Sequence, residues 1–234
     1  MTILSCPCYT TTMKIGVFDS GIGGKSIAEA LKRAFPGDTV LFNSDSNNVP
    51  YGSKTPHEII RLTLAGIAPL LKAECEVIVI ACNTASTNAI TTLRDRYPTT
   101  FFVGLEPMIK PAAQSTRTDV IAVCATPATL ASQTYADLKK KWAHGVKIIE
   151  PECSTWATLI EKDQSEKIDV DKIVAQLRRA KCDTLVLGCT HYHWIKNRFL
   201  EIAPEMILLE PTDAIARRIK HCKEDYNSFT AATN

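Results

Sequence analysis

Short, nearly continuous apolar runs alternate along this chain with longer amphipathic stretches. Residues 14–18, 39–42, 77–81, 101–104, 120–124, 146–149, 184–188 and 207–209 are rich in Val, Ile and Leu. Runs of that length with no polar alternate face are the pattern of parallel strands buried on both sides. Residues 26–35, 56–72, 87–96, 130–141, 154–162, 170–180, 194–202 and 213–222 carry helical spacing, and Pro56 suits the first turn of its helix. Strand–helix alternation predicts an α/β fold with parallel sheets.

Laid on itself at an offset of 107 residues, the chain matches in two places at once. Residues 76–86 fall on 183–193, and 15–20 fall on 122–127. In each copy a strand opens into a small polar turn, and a later strand ends in a cysteine turn. Two matches at one offset favour a duplicated α/β unit over chance. Parallel α/β sheets bind ligands beyond the carboxyl ends of their strands. Asp19, Cys82, Thr126 and Cys189 are therefore expected to face one cleft between two pseudo-symmetric parallel-sheet lobes. The plainer alternative is that any βα turn favours small residues and that cysteine is commonly buried.

Composition narrows the class. Of 234 residues, 45% are hydrophobic and 22% charged, with a net charge of +2. That is ordinary globular usage, which excludes wholesale disorder. No basic excess calls for nucleic acid, and no apolar run nears the roughly 18 residues of a membrane span. Residues 1–12 lack the charged and apolar regions of a signal peptide. Met13 directly precedes the first strand, so residues 1–12 are expected to be a flexible extension or to follow a misplaced start, and 223–234 a flexible tail. Nine cysteines is an odd count in a chain too long to need disulfide staples. Free thiols in a reducing, cytoplasmic compartment are expected.

Four features carry candidate chemistry. The first loop, residues 19–26, ends in Gly24, Lys25 and Ser26 like a phosphate-binding loop, but Asp19 stands where that motif needs its first glycine. What survives is a glycine turn at a helix N-terminus, able to meet an anion such as a carboxylate, or a tight turn with no ligand. The loop at residues 45–54 is polar and punctuated by Pro50 and Gly52. With Tyr51 it could close over a cleft or be plain surface. The cysteine turns at Cys82 and Cys189 place a thiol where a strand meets a helix, whose N-terminus can lower a thiol pKa. Asn83, Thr84 and Thr190 offer neutral donors to a carboxylate. Two opposed thiols suit a reaction needing a base on one face of a carbon and an acid on the other, as racemisation or epimerisation does. Cys189, His191 and His193 alternate, but the spacing is not that of a zinc site and no C-x-x-C occurs. No metal is expected.

Phe18 to Gly24, Pro50 to Gly52, Ala81 to Ser86, Glu106-Pro107 and Leu187 to Tyr192 together resemble the aspartate/glutamate racemase family, in order, from about Met13 to Ile219. The Ser after Cys-Asn-Thr-Ala and the Thr-His after the second Cys are more like its glutamate-acting members. The resemblance implies interconversion of L- and D-glutamate by a cofactor-independent two-base mechanism, supplying D-glutamate for peptidoglycan. An aspartate or broader-specificity racemase is the alternative. It implies Cys82 and Cys189 as acid and base, with Asp19, His191 and Glu161 as further catalytic residues. It implies substrate contacts from Ser20, Pro50, Tyr51, Gly52, Asn83, Thr84, Thr126, Thr129 and Thr190. No cofactor, nucleic acid or membrane partner is implied, and a homodimer is left open. The lobes are expected to be discontinuous: 13–105 plus 206–222, and 106–205. Lys25, Cys124-Ala125, Ser154 and His193 depart from the family pattern, His193 nearest the chemistry.

Overall fold

The computed structural model describes residues 12–212 and 214–221. The expectations for residues 1–11 and 222–234, including Cys6, Cys8 and Cys222, lie outside the described residues. β1 (Lys14–Asp19), β2 (Thr39–Ser44), β3 (Val77–Ile80) and β4 (Phe101–Gly104) form one parallel sheet in the order β2-β1-β3-β4. β5 (Val120–Cys124), β6 (Lys147–Ile149), β7 (Thr184–Leu187) and β8 (Ile207–Leu209) form a second, in the order β6-β5-β7-β8. The two orders are the same, so the internal repeat is a repeat of topology.

Side chains alternate across each sheet. Ile15, Val17, Val77 and Val79 enter one core layer, while Phe18, Ile78 and Ile80 enter the layer on the other face. In the second sheet Ile121, Val123 and Val186 oppose Ala122, Cys124, Leu185 and Leu187. β3 and β7 are buried at every residue. Each fully buried Val, Ile or Leu contributes about 1.5–3 kcal/mol, so the apolar runs fix the central strands. β2 and β6 lie at sheet edges and are partly exposed.

Most helices follow from local signals. α1 (Lys25–Ala34) buries Ile27, Ala28 and Leu31. α2 (Pro56–Lys72) has Pro at its start and a capping box in which Thr55 and Glu58 satisfy each other's backbone N–H. α3 (Asn83–Arg96) begins earlier than its apolar spacing predicts, because Cys82 caps it. α4 (Ile109–Ser115) has no counterpart among the predicted helices. The helix expected over 130–141 is two, α5 (Pro127–Leu130) and α6 (Gln133–Trp142), each with its own hydroxyl cap, Thr126 and Ser132. α7 (Trp156–Glu161), α8 (Val170–Arg179) and α9 (Lys196–Ile202) complete the second lobe.

One expectation is corrected. The strand at 207–209 does not rejoin the first lobe; β8 pairs with β7. The reason is the repeat itself: β8 is the second copy's equivalent of β4, and each copy completes its own sheet. What does return is the helical segment 214–221, whose Ile215 and Ile219 pack with Met13, Ile27 and Leu31 in the first lobe's core. No helix among the described residues is long and apolar enough to cross a membrane.

Candidate active site

The carboxyl ends of β1, β3, β5 and β7 deliver Asp19, Cys82, Thr126 and Cys189, and cross-lobe contacts bring these turns together. Cys82 caps α3, its sulfur accepting the Ala85 N–H at 3.4 Å and the Ser20 hydroxyl at 3.2 Å. Cys189 instead precedes a 3-10 turn, Thr190–Ile195, and caps nothing. Its sulfur lies 3.6 Å from His191 Nδ1, and His191 Nε2 lies 2.5 Å from Glu161 Oε1. The expected helix terminus is therefore present at the first thiol and replaced by a histidine–glutamate pair at the second.

Asp19 spans the lobes. Its Oδ1 accepts the Gly21 N–H at 2.7 Å, and its Oδ2 accepts the Thr190 hydroxyl at 2.9 Å. The Thr84 hydroxyl, from the first lobe, bonds the Thr126 hydroxyl at 2.8 Å, and Thr126 bonds Thr129 at 3.0 Å. Gly52 backs on Thr126 so closely that a Cβ there would sit 2.6 Å from Thr126 Cβ. Asn83 is 2% exposed, and neither its Nδ2 nor its Oδ1 has a hydrogen-bond partner. A buried amide left unpaired on both sides costs on the order of 1–3 kcal/mol per group, a cost expected where a ligand supplies the partners.

The loop at 45–54 forms two 3-10 turns, Ser46–Asn48 and Tyr51–Ser53, with Tyr51 buried and its hydroxyl donating to Asp45 Oδ2 at 2.8 Å. Asp45 was not among the expected site residues. Its signal is its place just beyond β2, level with the Asp19 turn. The glycine loop packs tightly on its own neighbours. Cβ atoms at Gly23 and Gly24 would lie 2.5 Å from Thr190 Oγ1 and Asp19 Cβ, and Lys25 is exposed. His193 donates from Nδ1 to the Thr190 carbonyl and stacks on Trp194 with ring centroids 3.9 Å apart. It therefore orders the loop beyond Cys189. Burial holds His193 below its ordinary pKa. Among the described residues no group of three or more His, Cys, Asp or Glu is placed to hold a metal ion.

The electrostatics are asymmetric. Burial, then the charge of Asp19, push the Cys82 thiol up to about 12, outweighing the Ser20 and Ala85 hydrogen bonds; the charge of Cys189 adds to the rise. The lowering expected from the helix N-terminus is thus overridden. His191 is opposed by burial, yet its bonds to Cys189 and Glu161 and the charges of Cys189 and Asp19 raise it to about 11. Burial raises Asp19, against the pull of His191 and its hydrogen bonds. Glu161 is lowered, chiefly by its bond to His191.

The site is shut. Cys82 is 5% and Cys189 8% exposed. Cavities of about 420 and 430 Å³ lie at the rim, lined by Pro50, Thr126 and Thr158 and by Val49, Pro50 and Glu161. Neither is lined by a thiol.

The chain is similar to known proteins along most of its length. Residues 24–219 match the family model described as Asp/Glu/Hydantoin racemase. A glutamate racemase of Roseiflexus sp. (strain RS-1) is 39% identical over 213 residues, 88% of this chain and 77% of that one. The crystal structure of Escherichia coli glutamate racemase in complex with L-glutamate and activator UDP-MurNAc-ala superposes with a TM-score of 0.77 at 30% identity, covering 89% of this chain and 81% of that one. Glutamate racemase from Francisella tularensis subsp. tularensis SCHU S4 in complex with D-glutamate gives a TM-score of 0.78 at 26% identity, over 92% and 82%. Two matching sheets, a shared cleft and this likeness lead to one conclusion: the chain belongs to the Asp/Glu/hydantoin racemase family and is a racemase, an isomerase.

Proposed function

We propose that the protein interconverts L- and D-glutamate by two-base proton transfer between Cys82 and Cys189, without a cofactor. The observation that carries this is a pair of buried thiols from equivalent turns of the two lobes, near enough that the charge of one raises the pKa of the other. The thiols need a reducing, cytoplasmic compartment, and D-glutamate would supply peptidoglycan synthesis. We take residues 13–105 with 214–221 as one lobe and 106–209 as the other.

The chemistry follows from the asymmetry. Cys82 holds its proton at neutral pH and is the acid of the resting enzyme. Two-base transfer then assigns the base on the other face to Cys189, with protonated His191 3.6 Å away as its neighbouring positive charge. The thiolate takes the α-proton, forming S–H as C–H breaks, and the electron pair moves into the carboxylate. Cys82 delivers its proton to the opposite face, its S–H breaking as the new C–H forms. The two sulfurs have exchanged states, and the opposite enantiomer runs the steps in reverse.

The α-proton is a poor acid, so charge on the intermediate must be met by fixed donors in a dry site, where one well-placed donor contributes about 3–4 kcal/mol. The Asn83 amide is such a donor, unpartnered and buried. Ser20, Thr84, Thr126, Thr129 and Thr190 supply hydroxyls, while Pro50, Tyr51 and Gly52 wall the cleft. The test is incubation of pure protein with L- or D-glutamate in D₂O without pyridoxal phosphate. Optical rotation should decay as deuterium enters the α-position. If both fail with glutamate and with aspartate, the proposal is wrong; turnover of aspartate alone would select the aspartate reading, and turnover of both the broader one.

A further inference from the structure

We propose that Glu161 is a positioning residue that makes lobe closure and the pairing of His191 one event, through a single carboxylate oxygen shared between the two lobes. Glu161 ends α7 in the second lobe. Its Oε1 accepts the Ile22 N–H, from the first lobe's loop, at 2.9 Å, and the same oxygen meets His191 Nε2 at 2.5 Å. The loop can approach only because residue 21 has no side chain. A Cβ on Gly21 would lie 1.8 Å from that oxygen and 3.0 Å from the Glu161 carboxyl carbon. Gly21 does not have a left-handed φ, so its backbone does not demand glycine. The carboxylate does.

Closure changes what surrounds His191. The titratable groups facing it are Cys189 just before its turn, Glu161 from α7, Asp19 from the end of β1, and His193 two residues on in the same turn. β7 carries none, and Lys196 of α9 pairs with Glu210 at 3.4 Å. Two of the closing groups, Asp19 and the Ile22 amide, arrive with the first lobe. When the lobes part, Glu161 stays beside His191 but loses the amide, gains water and no longer has Asp19 behind the imidazole. A proton on His191 and the closed state therefore favour each other, and linkage makes the preference reciprocal. The kinetic value of this coupling rests on the proposed racemase reading; the coupling itself does not.

The test reads two sites by NMR in the full chain: hydrogen exchange at the Ile22 amide and titration of the His191 imidazole. In wild type Ile22 should be protected. Gly21→Ala should speed its exchange about tenfold or more and lower the His191 midpoint by about one pH unit, a tenfold change in proton affinity. Glu161→Gln should lower that midpoint at least as far. Unchanged exchange at Val79 and Val186 would show both sheets intact. The proposal is overturned if Ile22 is unprotected in wild type, if Gly21→Ala frees Ile22 without moving His191, or if it moves neither. Absence of glutamate and aspartate turnover in wild type would overturn the proposed function and leave these two readouts standing.

Discussion

Cys82 and Cys189 hold equivalent places in the repeat yet have unlike neighbours, and their predicted behaviour differs accordingly. Cys82 sits against Ser20 and Asp19, Cys189 against His191, which Glu161 meets on its other side. Replacing either by Ala should abolish racemisation of glutamate. A one-sided reaction, such as elimination from a β-substituted analogue, should survive in at least one variant. Full racemisation by a single variant, followed by polarimetry, would disprove the two-base assignment. The same groups set an alkaline limit on stability. His191 is raised from 6.5 to about 11 and Cys82 from 9.0 to about 12, so the folded state holds protons that the unfolded chain releases. Stability then falls as pH rises, through the window 6.5–11 for His191 and 9–12 for Cys82. Urea midpoints should be lower at pH 10 than at pH 7, and the difference should shrink in His191→Asn. At this scale the cysteine turns were legible, because a turn's residues are contiguous. Ile22 was not, since its amide meets Glu161 across 139 residues of chain.

Whole elements were legible where local signals and burial agree. β4, β5, β8 and α2 occupy the predicted spans, because an all-apolar run between turn residues, or a proline with a capping box, leaves one reading. The departures have local causes as well. α3 starts at Asn83 because Cys82 and Ala85 form its cap, while its early polar residues hide helical spacing. After Cys189 the chain takes a 3-10 turn, with the Thr190 carbonyl accepting from His193. Packing between elements gives a sharp prediction at Gly66 of α2. Gly→Ala in a helix interior ordinarily gains about 1 kcal/mol. Here the new Cβ would lie 2.1 Å from Phe18 Cε2, a fully buried ring. Overpacking costs about 1–3 kcal/mol, so the clash should win and Gly66→Ala should lower the urea midpoint. A raised midpoint would show that α2 can shift away from β1.

At the scale of the whole molecule, hydrogen bonds join the two lobes. Asp19–Thr190, Thr84–Thr126 and Ile22–Glu161 each cross the cleft. If glutamate draws the lobes together, alkylation mapped at each cysteine should slow at Cys82 and Cys189 together when it is added. It should not change at Cys182, which is buried away from the cleft beside Thr184. Slowing at one thiol alone would contradict a shared site. The repeat, the parallel strands and the two cysteine turns were determined by the sequence alone, because apolar runs and turn residues act over a few positions. Which sheet takes the strand at 207–209, the inversion of Cys82's expected pKa shift, the orphaned Asn83 amide and the shared oxygen of Glu161 were decided only by the tertiary structure. Each depends on burial or on a contact between residues far apart in the chain, and those are set by how the two lobes close on each other.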